Sequence, residues 1–141
     1  MTVVNPYLNF EGKTEEAFNF YRSVFGGEFA TIMRFKDIPD GVPKPEGDDA
    51  QKIMHIALPI GTSVLMGSDT PEAMGPLTKG NNFTVSIGAA SEEEARIIYD
   101  GLSAGGTIEM PLEKAFWGAL FGMFIDKYGV NWMISYDGQR F

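Results

Sequence analysis

Apolar residues recur at helical spacing in two segments of the chain. In the first segment, the residues that share one helical face are Ala17, Phe20, Tyr21, Val24 and Phe25. In the second segment, they are Ala95, Ile98, Tyr99 and Leu102. Because this spacing is typical of a helix with one buried face, the pattern predicts two amphipathic helices. A glycine pair follows each predicted helix and favours a left-handed C-terminal cap, Gly26-Gly27 in one case and Gly105-Gly106 in the other.

The starts of the two helices carry polar signals that match each other. Thr14 is the predicted N-cap of the first helix, and Ser91 with Glu94 has the pattern of a capping box at the second. An offset of 78 residues carries Glu16 onto Glu94 and aligns the two segments. This correspondence indicates an internal repeat.

Runs that alternate apolar and polar residues surround each helix, as is typical of half-buried strands. Around the first helix, the predicted strands are residues 7–10 before it and residues 28–35, 52–59 and 62–68 after it. Around the second, they are residues 82–87 before it and residues 107–111, 116–125 and 131–136 after it. The sequence therefore predicts an α+β fold built from two βαβββ modules in tandem.

A chain of 141 residues has the length of a single domain. Within it we place module one at about residues 1–69, a linker at about residues 70–81 and module two at about residues 82–141. Residues 36–51 are rich in Pro, Gly and Asp, and this composition predicts a mobile surface loop.

Composition and charge narrow the classes of function. The net charge of −8 disfavours contact with nucleic acid or anionic lipid, since both depend on Lys and Arg. The absence of cysteine excludes disulfides and thiolate metal sites. No apolar stretch has the length of a membrane span, and the start of the chain lacks a signal-peptide pattern. We expect a cytoplasmic protein with no nucleic-acid or membrane partner.

The sequence contains few residues of the types that commonly act in catalysis or ligand binding. His55 is the only histidine and lies in a predicted strand, where it is either a general base or ligand contact, or a strand histidine without a chemical role. Trp117-Gly118 and Phe121-Gly122 set small residues beside large ones, a pattern that leaves room for a ligand but is equally typical of a core. No paired histidines, Walker loop or nucleophile elbow is present.

Several motifs together resemble the vicinal oxygen chelate superfamily, which includes glyoxalase I, extradiol dioxygenases and bleomycin-resistance proteins. They are the first helix (TEEAFNFY, residues 14–21), its exit (VFGG, residues 24–27) and the closing run (FGMFIDKYGVNWMI, residues 121–134). With Met54-His55 and residues 65–69, the closing run is similar to the PhnB-like branch, also labelled 3-demethylubiquinone-9 3-methyltransferase-like. The resemblance implies a glyoxalase-like homodimer in which curved half-barrel sheets surround a cleft.

The resemblance also implies where the superfamily holds its divalent metal, with one side chain from the first and last strand of each module. In this chain those positions fall on Asn5, Met66, Asn82 (or Thr84) and Met133. None of these residues is a carboxylate or an imidazole, so the positive charge of a hard or borderline divalent ion would be left almost uncompensated. We therefore predict no metal and no cofactor. A methyltransferase activity is also disfavoured, because the pattern lacks the parallel sheet and glycine-rich turn of a Rossmann-type enzyme.

The leading hypothesis is a metal-free homodimer that binds a small organic ligand in its cleft, as bleomycin-resistance proteins do. The predicted ligand-binding residues are Asn5, Tyr7, Asn9, His55, Met66, Ser68, Asn82, Trp117 and Met133. The alternative is a lyase or isomerase of the glyoxalase type, either metal-dependent with other ligands or using His55 as catalytic base. A third reading is an interaction module whose cleft is filled by its own side chains.

Overall fold

The computed structural model describes residues 2–137, and the chain divides into two compact units, the first ending at Thr78 and the second beginning at Lys79. The elements of the first unit are β1 (Tyr7–Phe10), α1 (Thr14–Phe25), β2 (Thr31–Arg34), β3 (Ile53–Ile60) and β4 (Ser63–Asp69). Those of the second unit are β5 (Val85–Gly88), α2 (Glu92–Ser103), β6 (Thr107–Lys114), β7 (Leu120–Ile125) and β8 (Asn131–Tyr136). Three short 3-10 helices, Phe35–Asp37, Gly47–Gln51 and Glu72–Met74, lie in the connections of the first unit.

Each unit contains one mixed four-stranded sheet, and the two sheets have the same topology. Their strand orders are β1-β4-β3-β2 and β5-β8-β7-β6. In both, the first strand of the unit runs parallel to the last, while the other neighbours are antiparallel. The predicted α+β fold of tandem βαβββ modules is confirmed.

Several predicted strand boundaries were wrong. Strand β5 begins at Val85, so Asn82 and Thr84 precede it. Strand β7 begins at Leu120 because the chain turns at Gly118, whose φ of 97° lies in the left-handed region that glycine tolerates. Strand β6 continues through Pro111 to Lys114; as the outer strand of its sheet, it accommodates a residue without an N–H.

The two helix starts differ in how their polar groups are used. Thr14 is the first helical residue and not the N-cap, which is Lys13. Its amide and hydroxyl both donate to Oδ1 of the buried Asp69, at 3.2 and 2.8 Å. At the second helix, the Ser91 hydroxyl accepts a hydrogen bond from the Glu94 backbone amide, as predicted. The Glu94 carboxylate accepts from the backbone amide of Ala90, whereas in a capping box it would accept from that of Ser91.

Each helix packs closely against one face of its sheet at a glycine. A Cβ added to Gly67 on β4 would lie 2.7 Å from the Phe18 ring, and one added to Gly122 on β7 would lie 2.7 Å from Tyr99. Gly67 on β4 pairs with Ile56 on β3, whereas Gly122 on β7 pairs with Ile134 on β8. Because β4 is equivalent to β8 and β3 to β7, the glycine lies on the last strand in the first unit and on the strand before it in the second. The opposite face of each sheet carries no helix of its own unit and is called the open face below.

In residues 2–137, no helix is long and apolar enough to span a membrane.

Candidate functional site

The open face of the first unit carries several polar side chains of its sheet. Strand alternation and register place on this face Tyr7, Asn9, Thr31, Met33, His55, Ala57, Met66 and Ser68. One row crosses all four strands, with Tyr7 opposite Met66, Met66 opposite Ala57, and Ala57 opposite Thr31. None of these side chains carries a fixed charge, and His55 is the titratable base among them.

Tyr7 and His55 form the clearest polar contact on this open face. The Tyr7 hydroxyl lies 3.1 Å from His55 Nδ1, and the rings are stacked with centroids 5.7 Å apart and planes 25° apart. Tyr7 is 44% exposed and His55 is half-buried, so both are open to solvent. In a neutral imidazole the two nitrogens have opposite roles. If Tyr7 donates to Nδ1, Nε2 is a donor; if Nδ1 donates to Tyr7, Nε2 is an acceptor.

The other predicted residues of the first unit divide into two kinds. Asn9 is exposed and lies opposite Ser68 on the parallel pair of strands, and Met66 lies opposite Tyr7. All three share the open face with His55. Asn5 precedes β1, and its Oδ1 accepts a hydrogen bond from the Val64 amide at 3.1 Å, which ties the chain before β1 to β4. The side-chain oxygen of Asn5 therefore stabilises the sheet through this hydrogen bond.

The second unit holds the remaining three predicted residues. Met133 lies on the open face of β8, opposite Ser86 and Met123. Asn82 lies three residues before β5. Trp117 lies in the connection between β6 and β7, 54% exposed, with its ring edge-to-face against Phe121 at a centroid distance of 5.5 Å. The structure thus places six predicted residues in the first unit and three in the second.

The donors at the superfamily's metal positions do not suit a divalent ion. The residues directly opposite Met66 and Met133 on the first strands are Tyr7 and Ser86, where the sequence had favoured Asn5 and Asn82. Neither set supplies a carboxylate or an imidazole, the donors that such ions need. Across residues 2–137, no group of three or more His, Asp or Glu side chains could hold a metal.

A bidentate ion pair joins the start of α1 to the end of β2. Arg34 donates to both carboxylate oxygens of Glu15, at 3.0 and 2.7 Å, and to the Gln51 carbonyl at 2.9 Å. The hydrogen bond from Arg34 lowers the pKa of Glu15 and raises that of Arg34. A second pair, Asp49 with Lys52, lowers the carboxyl pKa and raises the ammonium pKa in the same way.

The model of the Glyoxalase/Bleomycin resistance protein/Dioxygenase superfamily matches residues 4–134. The chain belongs to this superfamily. It is 29% identical to Protein YjdN of Escherichia coli, with 97% of each chain covered. Among solved structures, it is similar to PA1353 from Pseudomonas aeruginosa, with 36% identity, a TM-score of 0.86 and coverage of 97% and 98%.

A second solved structure supports the predicted branch. It is the putative 3-demethylubiquinone-9 3-methyltransferase, PhnB protein, from Bacillus cereus, with 28% identity, a TM-score of 0.76 and coverage of 96% and 99%. The predicted resemblance to the PhnB-like branch of the vicinal oxygen chelate superfamily is confirmed.

Sequence reasoning missed several residues that shape the open faces. Met33 lies opposite His55, Met123 lies opposite Met133, and Met110 lies opposite Met123. Their positions depend on which strands pair and in which register, and a single sequence carries no direct signal for either. Asp69 is the last residue of the predicted module one, and nothing in the sequence marks it as a buried hydrogen-bond acceptor.

Proposed function

We propose that this superfamily member binds a small organic ligand on the open face of its first unit, with Tyr7 and His55 as the polar anchor. The supporting observation is the hydrogen bond of 3.1 Å between the Tyr7 hydroxyl and His55 Nδ1 on a partly exposed, charge-free surface. In this proposal Asn9 and Ser68 add hydrogen bonds and Met66 adds an adaptable apolar wall. The protein acts as a cytoplasmic homodimer.

The chemistry of the first open face favours an uncharged ligand. Tyr7 holds one imidazole nitrogen, so His55 offers Nε2 as a directed donor or acceptor. Among the paired strand residues that the structure describes, no Lys or Arg lies on this face to neutralise an anion, and no carboxylate lies on it to neutralise a cation. Binding then rests on hydrogen bonds and apolar contact. It does not use a divalent ion, because the donors at the superfamily's positions are amides, hydroxyls and thioethers.

The test is a metabolite screen read by melting temperature. A ligand present at 100 times its dissociation constant adds about 2.7 kcal/mol to the free energy of unfolding. We expect Tyr7→Phe and His55→Gln to weaken the response to the same compound. Tyr136→Phe, a tyrosine change in the second unit, is the matched control and leaves the response intact. Equal responses in all variants would contradict the proposed anchor.

A second candidate function is acid–base catalysis by His55. The observation that favours it is the same contact, since a Tyr7 that accepts from Nδ1 leaves Nε2 unprotonated and able to take a proton. The reaction would be that of a lyase or isomerase. Once a ligand is known, its incubation with the wild-type protein separates the two candidates: turnover that His55→Gln abolishes supports catalysis, and an unchanged ligand supports binding alone.

The homodimer is tested by light scattering during size-exclusion chromatography. We expect a mass of twice the chain at micromolar concentration. A monomer mass would remove the dimer from the proposal while leaving the Tyr7–His55 anchor untouched.

A further inference from the structure

Three methionines form a continuous row across the open face of the second unit. Met110 on β6 lies directly opposite Met123 on β7, and Met123 lies directly opposite Met133 on β8. Directly opposite residues of antiparallel strands have Cβ atoms about 5 Å apart. Of the eight methionines in the chain, three therefore project side by side from one face. We call Met110, Met123 and Met133 the thioether row.

The first unit shows that the fold does not demand this row. The same topological positions there are Thr31, Ala57 and Met66. Tyr7 flanks Met66 just as Ser86 flanks Met133. One sheet therefore carries a single thioether where the other carries three in succession. The outer strands also differ in their backbone, because the register of β6 shifts on both sides of Met110, whereas Thr31 lies in a regular stretch of β2. The run of three thioethers is therefore a feature of the second sheet alone.

The thioether row is partly accessible. Met110 is 44% exposed, and Met123 and Met133 are half-buried. The residues on either side of Met123 and Met133 along their strands, such as Phe124 and Trp132, face the helix and are fully buried. All three methionines are therefore partly exposed to solvent, while the residues that alternate with them form the core.

We propose that the thioether row binds one monovalent soft ion, Cu(I), for which Ag(I) is the redox-inert probe. Thioether sulfur is a soft donor that selects Cu(I) over hard or borderline ions. Methionine has three rotatable bonds, so three neighbouring side chains can turn their sulfurs toward one point. A monovalent d¹⁰ ion needs less charge compensation than a divalent one, so the row suits it without an anionic ligand. The thioether row shares no residue with the Tyr7–His55 anchor.

The experiment measures the affinity of the whole chain for Ag(I) by calorimetry and for Cu(I) by competition with a chromophoric chelator under reducing conditions. We expect one ion per chain and no binding of Zn²⁺ or Mn²⁺ at the row. Met123→Leu removes the central sulfur with little change in volume and should weaken binding by roughly tenfold or more, since disturbing even outer-shell groups costs 10- to 100-fold. Met133→Leu provides a second variant should Met123→Leu fold poorly.

The matched control is Met66→Leu, which removes a thioether from the equivalent strand position of the first unit. It should leave the affinity for Ag(I) unchanged. Peroxide oxidation followed by peptide mass spectrometry locates the ion: Ag(I) should protect the thioether row, while Met74, which is 75% exposed, is oxidised equally with and without Ag(I). The proposal would be overturned if Ag(I) did not bind stoichiometrically, or if Met66→Leu and Met123→Leu lost equal affinity for Ag(I). It would also be overturned if Ag(I) protected methionines outside the thioether row from oxidation.

Discussion

Asp69 illustrates how one buried side chain can join three elements of the first unit. Its Oδ1 accepts from the Thr14 amide and hydroxyl at the start of α1, and its Oδ2 accepts from the Ile53 amide at the start of β3, at 2.9 Å. The residue itself ends β4. Hydrogen bonds to a charged group are stronger than neutral ones, and each donor left unpaired after burial is costly.

Replacement of Asp69 should therefore destabilise the protein markedly. We expect Asp69→Ala to lower the free energy of unfolding by roughly 3 kcal/mol, because it leaves three buried donors without an acceptor. Urea unfolding measures this loss. Asp40→Ala is the control, since the Asp40 side chain is fully exposed, and its effect should stay near zero. Equal effects of both substitutions would contradict the role of Asp69.

The Glu15–Arg34 pair makes stability depend on pH. Arg34 holds the pKa of Glu15 below its ordinary value, so the unfolded state binds a proton more readily than the folded state. The pair's contribution is fully present above the unfolded pKa of about 4.3 and is lost as the pH falls through the folded-state pKa. The carboxylate is half-exposed, so the contribution is at most about 1 kcal/mol.

Comparison of the wild-type protein with Glu15→Gln tests this dependence. Urea midpoints measured from pH 7 to pH 3 should show the wild type more stable at neutral pH and the two proteins converging as the pH falls below the unfolded-state pKa of about 4.3 and through the lower folded-state pKa. A gap that stays constant over this range would mean that the Glu15 charge does not contribute.

At the scale of elements, local chemistry predicted some boundaries and long-range geometry decided others. Strands β1 and β8 begin and end where alternation predicted, because turn signals flank both. The predicted start of β7 was wrong since the apolar residues Phe116 and Trp117 extend the strand-like pattern into the turn at Gly118. Hydrophobicity alone cannot distinguish an exposed aromatic turn from the beginning of a strand.

Helix–sheet contact depends on the glycines that α1 and α2 press against. Gly67→Ala and Gly122→Ala should each destabilise the protein by roughly 1–3 kcal/mol, because the added methyl group overlaps an aromatic ring. Gly88→Ala on β5 is the control, since nothing lies within 4 Å of the Cβ it would add. Thermal unfolding of the three variants measures the difference. Destabilisation of Gly88→Ala as large as that of the others would contradict the argument.

At the scale of the whole molecule, the repeat and the superfamily were predictable from the sequence, while the composition of the open faces was not. The helical periodicity of two segments identifies the repeat, and the closing run at residues 121–134 identifies the superfamily. Which side chains share a row depends on pairing between distant strands: Tyr7 reaches His55 across 48 residues. Asn5 was a reasonable ligand residue on sequence grounds, yet its side chain bonds to the Val64 amide.

The donor chemistry of both units predicts how the molecule responds to divalent metals. Addition of Mg²⁺, Mn²⁺, Fe²⁺, Co²⁺, Ni²⁺ or Zn²⁺ to metal-stripped protein should leave the melting temperature unchanged, because an ion that does not bind the folded state cannot stabilise it. Near-stoichiometric metal in purified protein, lost in His55→Ala, would contradict this expectation and favour a metal-dependent enzyme.

The positions of the two tryptophans allow fluorescence to report on one unit and not on the other. Both tryptophans, Trp117 and Trp132, belong to the second unit, and Trp132 is fully buried with its indole nitrogen donating to Asp126. Tryptophan fluorescence therefore follows the unfolding of the second unit alone, whereas far-ultraviolet circular dichroism follows both. Coincident transitions by the two probes would show that the halves of the repeat melt cooperatively, and separated transitions would assign an individual stability to each half.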